Sequence, residues 1–184
     1  MEMIGPAPRR RERPAIAEML RVDHAGEYGA VAIYRGQQAV FRQSPATQDM
    51  AEELLGMEQE EQKHLDAFDE LLVKHRVRPT ALLPLWKAMG YGLGIATALM
   101  GRRAAHACTE SVETVIEGHY AEQAEAARPT HPDLADTFAE FREDELHHRD
   151  TAIAGGAREA PLYRTLATTI RAGCLAAIRV SEKV

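Results

Sequence analysis

Between Thr47 and His75 the residues Met50, Leu54, Met57, Phe68, Leu71 and Leu72 recur at steps that fit one face of an α-helix. Glu61 and His64 fall on the same stripe and interrupt it with charge. The same period predicts a helix from Pro14 to Phe41, with the proline in the first turn, ending near Ser44-Pro45. A third long helix is predicted from Arg102 through Ala127, stopped by Pro129-Thr130-His131-Pro132. A fourth covers about Asp133 to Ala154. After Gly155-Gly156 and Pro161 a last helix carries Leu162, Leu166, Ile170 and Cys174 along one side. Between the second and third helices, Ala81 to Gly101 is apolar with Lys87 as its only charge. Its GYGLG, Gly90 to Gly94, has no preceding strand to make it a dinucleotide loop, so flexible apolar helix or turn is expected. No segment alternates as a strand does, and the fold class is all-α.

Composition adjusts this picture in few places. The 184 residues suit one domain, expected over 14–184 behind a mobile tail, 1–13. A net charge of -6 offers no general field for a nucleic-acid backbone, so no nucleic-acid partner is expected. Cys108 and Cys174 form no CxxC, which excludes a zinc knuckle and suits a reducing compartment. The arginines of the tail precede no apolar segment, against a secretory signal. A mitochondrial targeting remnant is the alternative for that tail.

The chemistry lies in a repeat. Glu61-x-x-His64 recurs as Glu145-x-x-His148, each placing two metal-ligating groups on one helix face. One copy alone reads as a solvated helix pair. Two copies on alternate long helices are the pattern of a bundle that binds two metals, in which each remaining helix adds one glutamate. The first helix offers Glu27; the third offers Glu110, Glu113 and Glu117. Glu27 has Tyr34 seven residues on, and of the three only Glu113 is matched, by Tyr120. The spacing agrees: 34 residues separate Glu27 from Glu61, and 32 separate Glu113 from Glu145. Glu113 is therefore the predicted fourth carboxylate.

Four buried carboxylates and two imidazoles would be prohibitively costly without cations, and two divalent ions neutralise them in formal charge. Mixed carboxylate and imidazole ligation without thiolate suits iron or manganese better than zinc. His147, Glu143 and Asp144 are expected at the surface or just outside the ligands, and His106 as an ordinary helix-face histidine. Asp23 and His24 either orient ligand side chains or merely cap and solvate. Glu60 and Gln62 are expected on a solvated face.

RVDHAGEYGA (Arg21 to Ala30), RVRPTALLPLW (Arg76 to Trp86), CTESVETVIEGHY (Cys108 to Tyr120) and FREDELHHRD (Phe141 to Asp150) resemble the demethoxyubiquinone hydroxylase family. These are ferritin-like di-iron monooxygenases of ubiquinone biosynthesis. The resemblance covers nearly the whole chain after the tail. It implies a four-helix di-iron bundle followed by an amphipathic helix. It also implies two iron ions held by Glu27, Glu61, His64, Glu113, Glu145 and His148, the set that the repeat selects. His119 and Tyr120 match the family's pair at the site of substrate or electron access. His147 departs from the pattern, where the family often carries an acidic residue. The implied reaction is O2-dependent ring hydroxylation of a 2-polyprenyl-3-methyl-6-methoxy-1,4-benzoquinol. With no cofactor domain visible, electrons would come from NADH, the quinol or a reductase. Iron storage or peroxide scavenging in a ferritin- or rubrerythrin-like bundle is the rival reading.

A polyprenyl substrate resides in a bilayer. Pro84, Lys87 and three glycines argue against Ala81 to Gly101 as a membrane span. The last helix places Arg164, Arg171 and Arg179 on one side, an interfacial pattern. Peripheral attachment to the cytoplasmic face of the bacterial inner membrane is expected, with the mitochondrial inner membrane as the alternative. A homo-oligomer or an accessory lipid-binding protein would be the further partner.

Overall fold

The computed structural model describes residues 12–183, all of whose regular structure is helical. The long helices are α1 (Glu12–Phe41), α2 (Gln48–His75), α3 (Leu83–Leu99), α4 (Arg102–Ala127), α5 (Pro132–Ala154) and α6 (Tyr163–Ser181), with 3-10 turns at Pro45–Thr47 and Ala157–Glu159. Residues 1–11 of the expected tail lie outside the described residues, and the chain is already helical at Glu12, two residues before the predicted start.

α1 pairs with α2 and α4 with α5, and α3 carries the chain from one hairpin to the other. Contacts between α1 and α3 rise together in number, Gly29 meeting Gly90 and Ile33 meeting Gly94, so these helices run parallel. α2 and α4 therefore share a direction, the arrangement of a bundle with one long crossover. The apolar stretch is thus helical over Leu83–Leu99, and Gly90 and Gly94 act there by closeness rather than flexibility. A Cβ on Gly90 would come within 2.7 Å of the Gly29 carbonyl oxygen, and one on Gly94 would collide with that of Ile33. The α3–α4 turn rests on Gly101, whose φ of 105° is strained for any side chain.

Two apolar clusters fill the bundle. One gathers Leu20, Phe68, Leu72, Tyr120, Phe138 and Phe141. The other holds Tyr34, Phe41, Met50, Leu54, Met57 and Ala105. His64 stacks on Phe141 of the first, with centroids 4.1 Å apart, and His148 sits edge-on to Tyr34 of the second, at 6.3 Å. The charged layer is therefore closed at both ends by hydrocarbon.

Candidate metal centre

Residues three apart on a helix share a face, so α2 turns Glu61 and His64 inward together and α5 does the same with Glu145 and His148. α1 contributes Glu27 and α4 contributes Glu113. All six are at most 2% exposed. They form two groups whose ligand atoms lie within 4.8 Å of one another: Glu27, Glu61, His64 and Glu145 in one, Glu61, Glu113, Glu145 and His148 in the other. Glu61 and Glu145 belong to both. Two carboxylates shared between two clusters is the arrangement of a bridged pair of ions.

The imidazoles are aimed by their far nitrogens. His64 Nε2 lies 3.0 Å from Asp144 Oδ2, and His148 Nε2 lies 2.7 Å from Glu60 Oε2. A neutral ring that donates from Nε2 presents a bare Nδ1, which is the form a metal takes. His64 Nδ1 is 3.3 Å from Glu145 Oε1, and His148 Nδ1 is 3.0 Å from Glu61 Oε1. Neither contact is aligned as a hydrogen bond. Both Nδ1 atoms, both oxygens of Glu61 and of Glu145, and one oxygen each of Glu27 and Glu113 are buried without a partner. Buried polar atoms are seldom left so, and a whole facing set of them fits cation binding. The other oxygens of the lone glutamates are held across the repeat: Tyr34 donates to Glu113 at 2.8 Å, and Tyr120 donates to Glu27.

Electrostatics agree. Burial pushes Glu27 and Glu113 well above the usual carboxylate range, and repulsion from Glu61 and Glu145 adds to it. Burial would also raise Glu61, but His148 and His64 outweigh it and hold that carboxyl low. Burial opposes protonation of His64 and His148, yet Glu145 and Glu61 overcome it and push each imidazole up to about 12. Protons can hold such a cluster together, and two divalent cations do so with better charge balance.

Of the other residues singled out, Asp23 accepts from Gln123 at 2.9 Å and His24 pairs with Asp69 at 2.9 Å, both away from the six. His119 stands beside Gln123 at the rim of a surface cavity, while Tyr120 is buried. His106 is buried 3.7 Å from Glu53, apart from the cluster. His147 is exposed. Glu60 keeps a side chain 46% exposed, as expected of a solvated face, and from there its carboxylate also reaches His148, a role not expected from the sequence. The signal was present: an acid precedes the ligand glutamate in both copies, Glu60-Glu61 and Asp144-Glu145. Arg171 also departs from the expected basic stripe, since it turns inward to Glu110.

Beside this layer lies a cavity of 320 Å³ between α1, α3, α4 and α6. Its walls are nearly all apolar or small, among them Ile33, Trp86, Leu93, Ile116 and Ile170. Gly26 and Val112 line it, and each is the chain neighbour of a lone glutamate, Glu27 or Glu113. Leu85 and Met89 of α3 and Leu175 of α6 are about half exposed, at 48%, 57% and 47%.

The fold and site together define an all-helical bundle whose two buried Glu/His clusters are consistent with a di-iron helical bundle. Residues 14–181 match the family described as ubiquinone biosynthesis protein COQ7, and the chain belongs to that family. It is 45% identical over 169 residues to the 3-demethoxyubiquinol 3-hydroxylase of Rhodospirillum rubrum, a match spanning 92% of this chain and 78% of the relative. It is 42% identical over 179 residues to the human mitochondrial NADPH-dependent 3-demethoxyubiquinone 3-hydroxylase, spanning 94% and 79%. The mitochondrial 5-demethoxyubiquinone hydroxylase of Saccharomyces cerevisiae is 37% identical over 182 residues, spanning 90% and 77%.

Proposed function

We propose that this chain is an enzyme that hydroxylates the ring of 3-demethoxyubiquinol in ubiquinone biosynthesis, using O2 and two iron ions. The observation that carries this is an apolar cavity of 320 Å³ lined by residues next to Glu27 and Glu113, in a chain of the family described above. Glu27 and His64 would hold one ion, Glu113 and His148 the other, and Glu61 and Glu145 both. Oxygen- and nitrogen-only ligation supports iron. A bound pair of redox-active ions supplies the activation of dioxygen, which no side chain can provide.

The chain's own contribution is binding, orientation and exclusion of water. The cavity walls accept a prenylated ring and offer little to hydrogen-bond with water. Tyr34 and Tyr120 restrain the two lone glutamates, and Asp144 and Glu60 restrain the imidazoles, so the ligands are held before any ion binds. The reaction replaces a ring C–H by C–OH and takes the second oxygen atom to water with two electrons and two protons. His119, at a surface cavity, and its buried neighbour Tyr120, bonded to Glu27, are the proposed access for electrons. The donor is NADH, the quinol or a reductase; the human relative is named as NADPH-dependent.

No described helix is long and apolar enough to cross a membrane. The half-exposed Leu85, Met89 and Leu175, with the exposed Arg164 and Arg179, support peripheral attachment instead. That would be the cytoplasmic face of a bacterial inner membrane, where the substrate's tail resides.

The test is to supply iron-loaded protein with a reduced short-tailed demethoxyubiquinol analogue, a chemical reductant and isotopically labelled O2. Label in a new ring hydroxyl is expected. Unchanged quinol together with mineralised iron would favour storage and overturn this reading.

A further inference from the structure

Glu110 is the rival glutamate that the repeat rejects, and it is 2% exposed. Its carboxylate takes no part in either metal-binding group, yet it is densely bonded. Tyr163 Oη donates to it with both oxygens at 3.0 Å, and Arg171 Nη2 reaches the same two at 3.0 and 3.1 Å. Arg158 Nη2 stands 3.8 Å off. All three groups come from beyond α5, and the two donors, Tyr163 and Arg171, from α6. At its other end α6 is held by Arg21 of α1, which donates to the Glu182 carbonyl at 3.2 Å.

Between these two attachments α6 is a wall of the apolar cavity. Ile170, Cys174 and Ile178 face it at four-residue steps, and Ile170 is the residue before Arg171. The facing wall, α3, is attached differently. It sits on α1 through glycines in backbone contact, which no small motion separates without losing packing along the helix. α6 rests near its start on apolar packing of Leu166 and Ile170 against Cys108 and Val112, and its polar attachment there is one buried carboxylate, Glu110.

We propose that Glu110 is a positioning residue that fixes α6 as a wall of the apolar cavity and so sets how tightly a prenylated ring is gripped. The cavity then yields at α6 and not at α3. The specificity part of this rests on the cavity being the quinol's site.

Cys174 reports on the wall without any turnover. It lines the cavity, whereas Cys108 is fully buried and serves as an internal reference. Metal-loaded wild-type, Glu110→Gln and Tyr163→Phe proteins would be treated with N-ethylmaleimide and the labelled peptides counted by mass spectrometry. Loss of a charge-assisted hydrogen bond in the latch should speed labelling of Cys174 on the order of tenfold, with Cys108 unlabelled and metal content unchanged. The double variant Glu110→Gln/Arg171→Gln, which faces two amides, should label more slowly than Glu110→Gln. Rates within about twofold of wild type in both folded single variants would overturn the latch.

In turnover, the preference in kcat/KM for a prenylated over a tail-free quinol should shrink in Glu110→Gln, mainly through a raised KM for the prenylated substrate. Faster labelling with that preference intact would leave the latch standing and overturn its role in specificity. Failure of all quinol turnover in wild type would instead strike the proposed reaction, while the labelling result stood.

Discussion

His148 of α5 is held from outside by Glu60 of α2, with 2.7 Å between Nε2 and Oε2. The mirror contact joins His64 of α2 to Asp144 of α5 at 3.0 Å. Each imidazole is thus oriented by the residue preceding the other helix's ligand glutamate. Glu60→Ala and Asp144→Ala should each weaken metal binding by about 10- to 100-fold while leaving helix content unchanged. Competition against a chelator of known affinity measures this. Wild-type affinity in both variants would remove the orienting role.

The sharing of Glu61 and Glu145 predicts an unequal response among the ligands. Glu61→Ala should lose tight binding of both ions, because it belongs to both groups. Glu27→Ala and Glu113→Ala should each retain one, giving about half the wild-type metal per chain. Metal analysis after desalting, with circular dichroism to confirm the helices, distinguishes these outcomes. Two retained ions in Glu61→Ala would refute the ligand assignment.

Metal uptake should also release protons. With His64 and His148 pushed up to about 12, both imidazoles are protonated in the metal-free protein at neutral pH and must lose a proton from Nδ1 to bind an ion. Affinity should therefore rise with pH, and calorimetry in buffers of different ionisation enthalpy should show about two or more protons released. Folding of the metal-free chain runs the other way. A raised imidazole pKa gives stability that is full below the ordinary 6.5 and declines as pH climbs toward about 12. Chelated protein should melt at a lower temperature at pH 9 than at pH 6, and a rise would contradict the assigned protonation.

The α1–α3 contact sets a mechanical limit. Gly94→Val must push the Ile33 backbone away and should destabilise the fold by about 1–3 kcal/mol, measured by urea unfolding. Gly92→Val on the open side of the same helix meets nothing within 4 Å and should change stability by about 0.5 kcal/mol or less, because Val is no worse a helix former than Gly. Equal losses would mean that the close approach of Gly94 to Ile33 does not govern α3.

The proposed attachment to lipid rests on the half-exposed Leu85, Met89 and Leu175. Met89→Glu and Leu175→Glu together should lower co-flotation with anionic vesicles several-fold without altering metal content. Equal flotation of variant and wild type would place the contact elsewhere.

Much of this was legible in the chain. Period-3.6 patterning located five of the six long helices and left the stretch of α3 open as helix or turn, and the repeated Glu-x-x-His with its tyrosine seven residues after each lone glutamate pointed to the six residues that the fold brings together. The tyrosine match has a physical counterpart that spacing alone does not reveal. Each tyrosine crosses the bundle to the other half's glutamate instead of serving its own. Glu60 was passed over because an acid on a charged face has no period-3.6 signature; its one mark in the chain is the acid repeated before each ligand glutamate, and its partner is a histidine 88 residues away. Arg171 and Glu110 failed for the same reason. A half-buried ion pair between α4 and α6 leaves no trace in either helix's pattern, so the arginine looked like part of a basic stripe.

Those crossed tyrosines give the two hairpins a mutual dependence. Glu27 is tied by Tyr120, Glu113 by Tyr34, and each imidazole by an acid from the opposite hairpin. Neither half contains a finished site. A chain severed at the Gly101 turn would yield two fragments that are each poor binders, and loading would become a reunion of halves whose yield depends on the product of their concentrations. In the intact chain the polypeptide link makes that reunion intramolecular, so a defect in one hairpin is read out at ligands carried by the other.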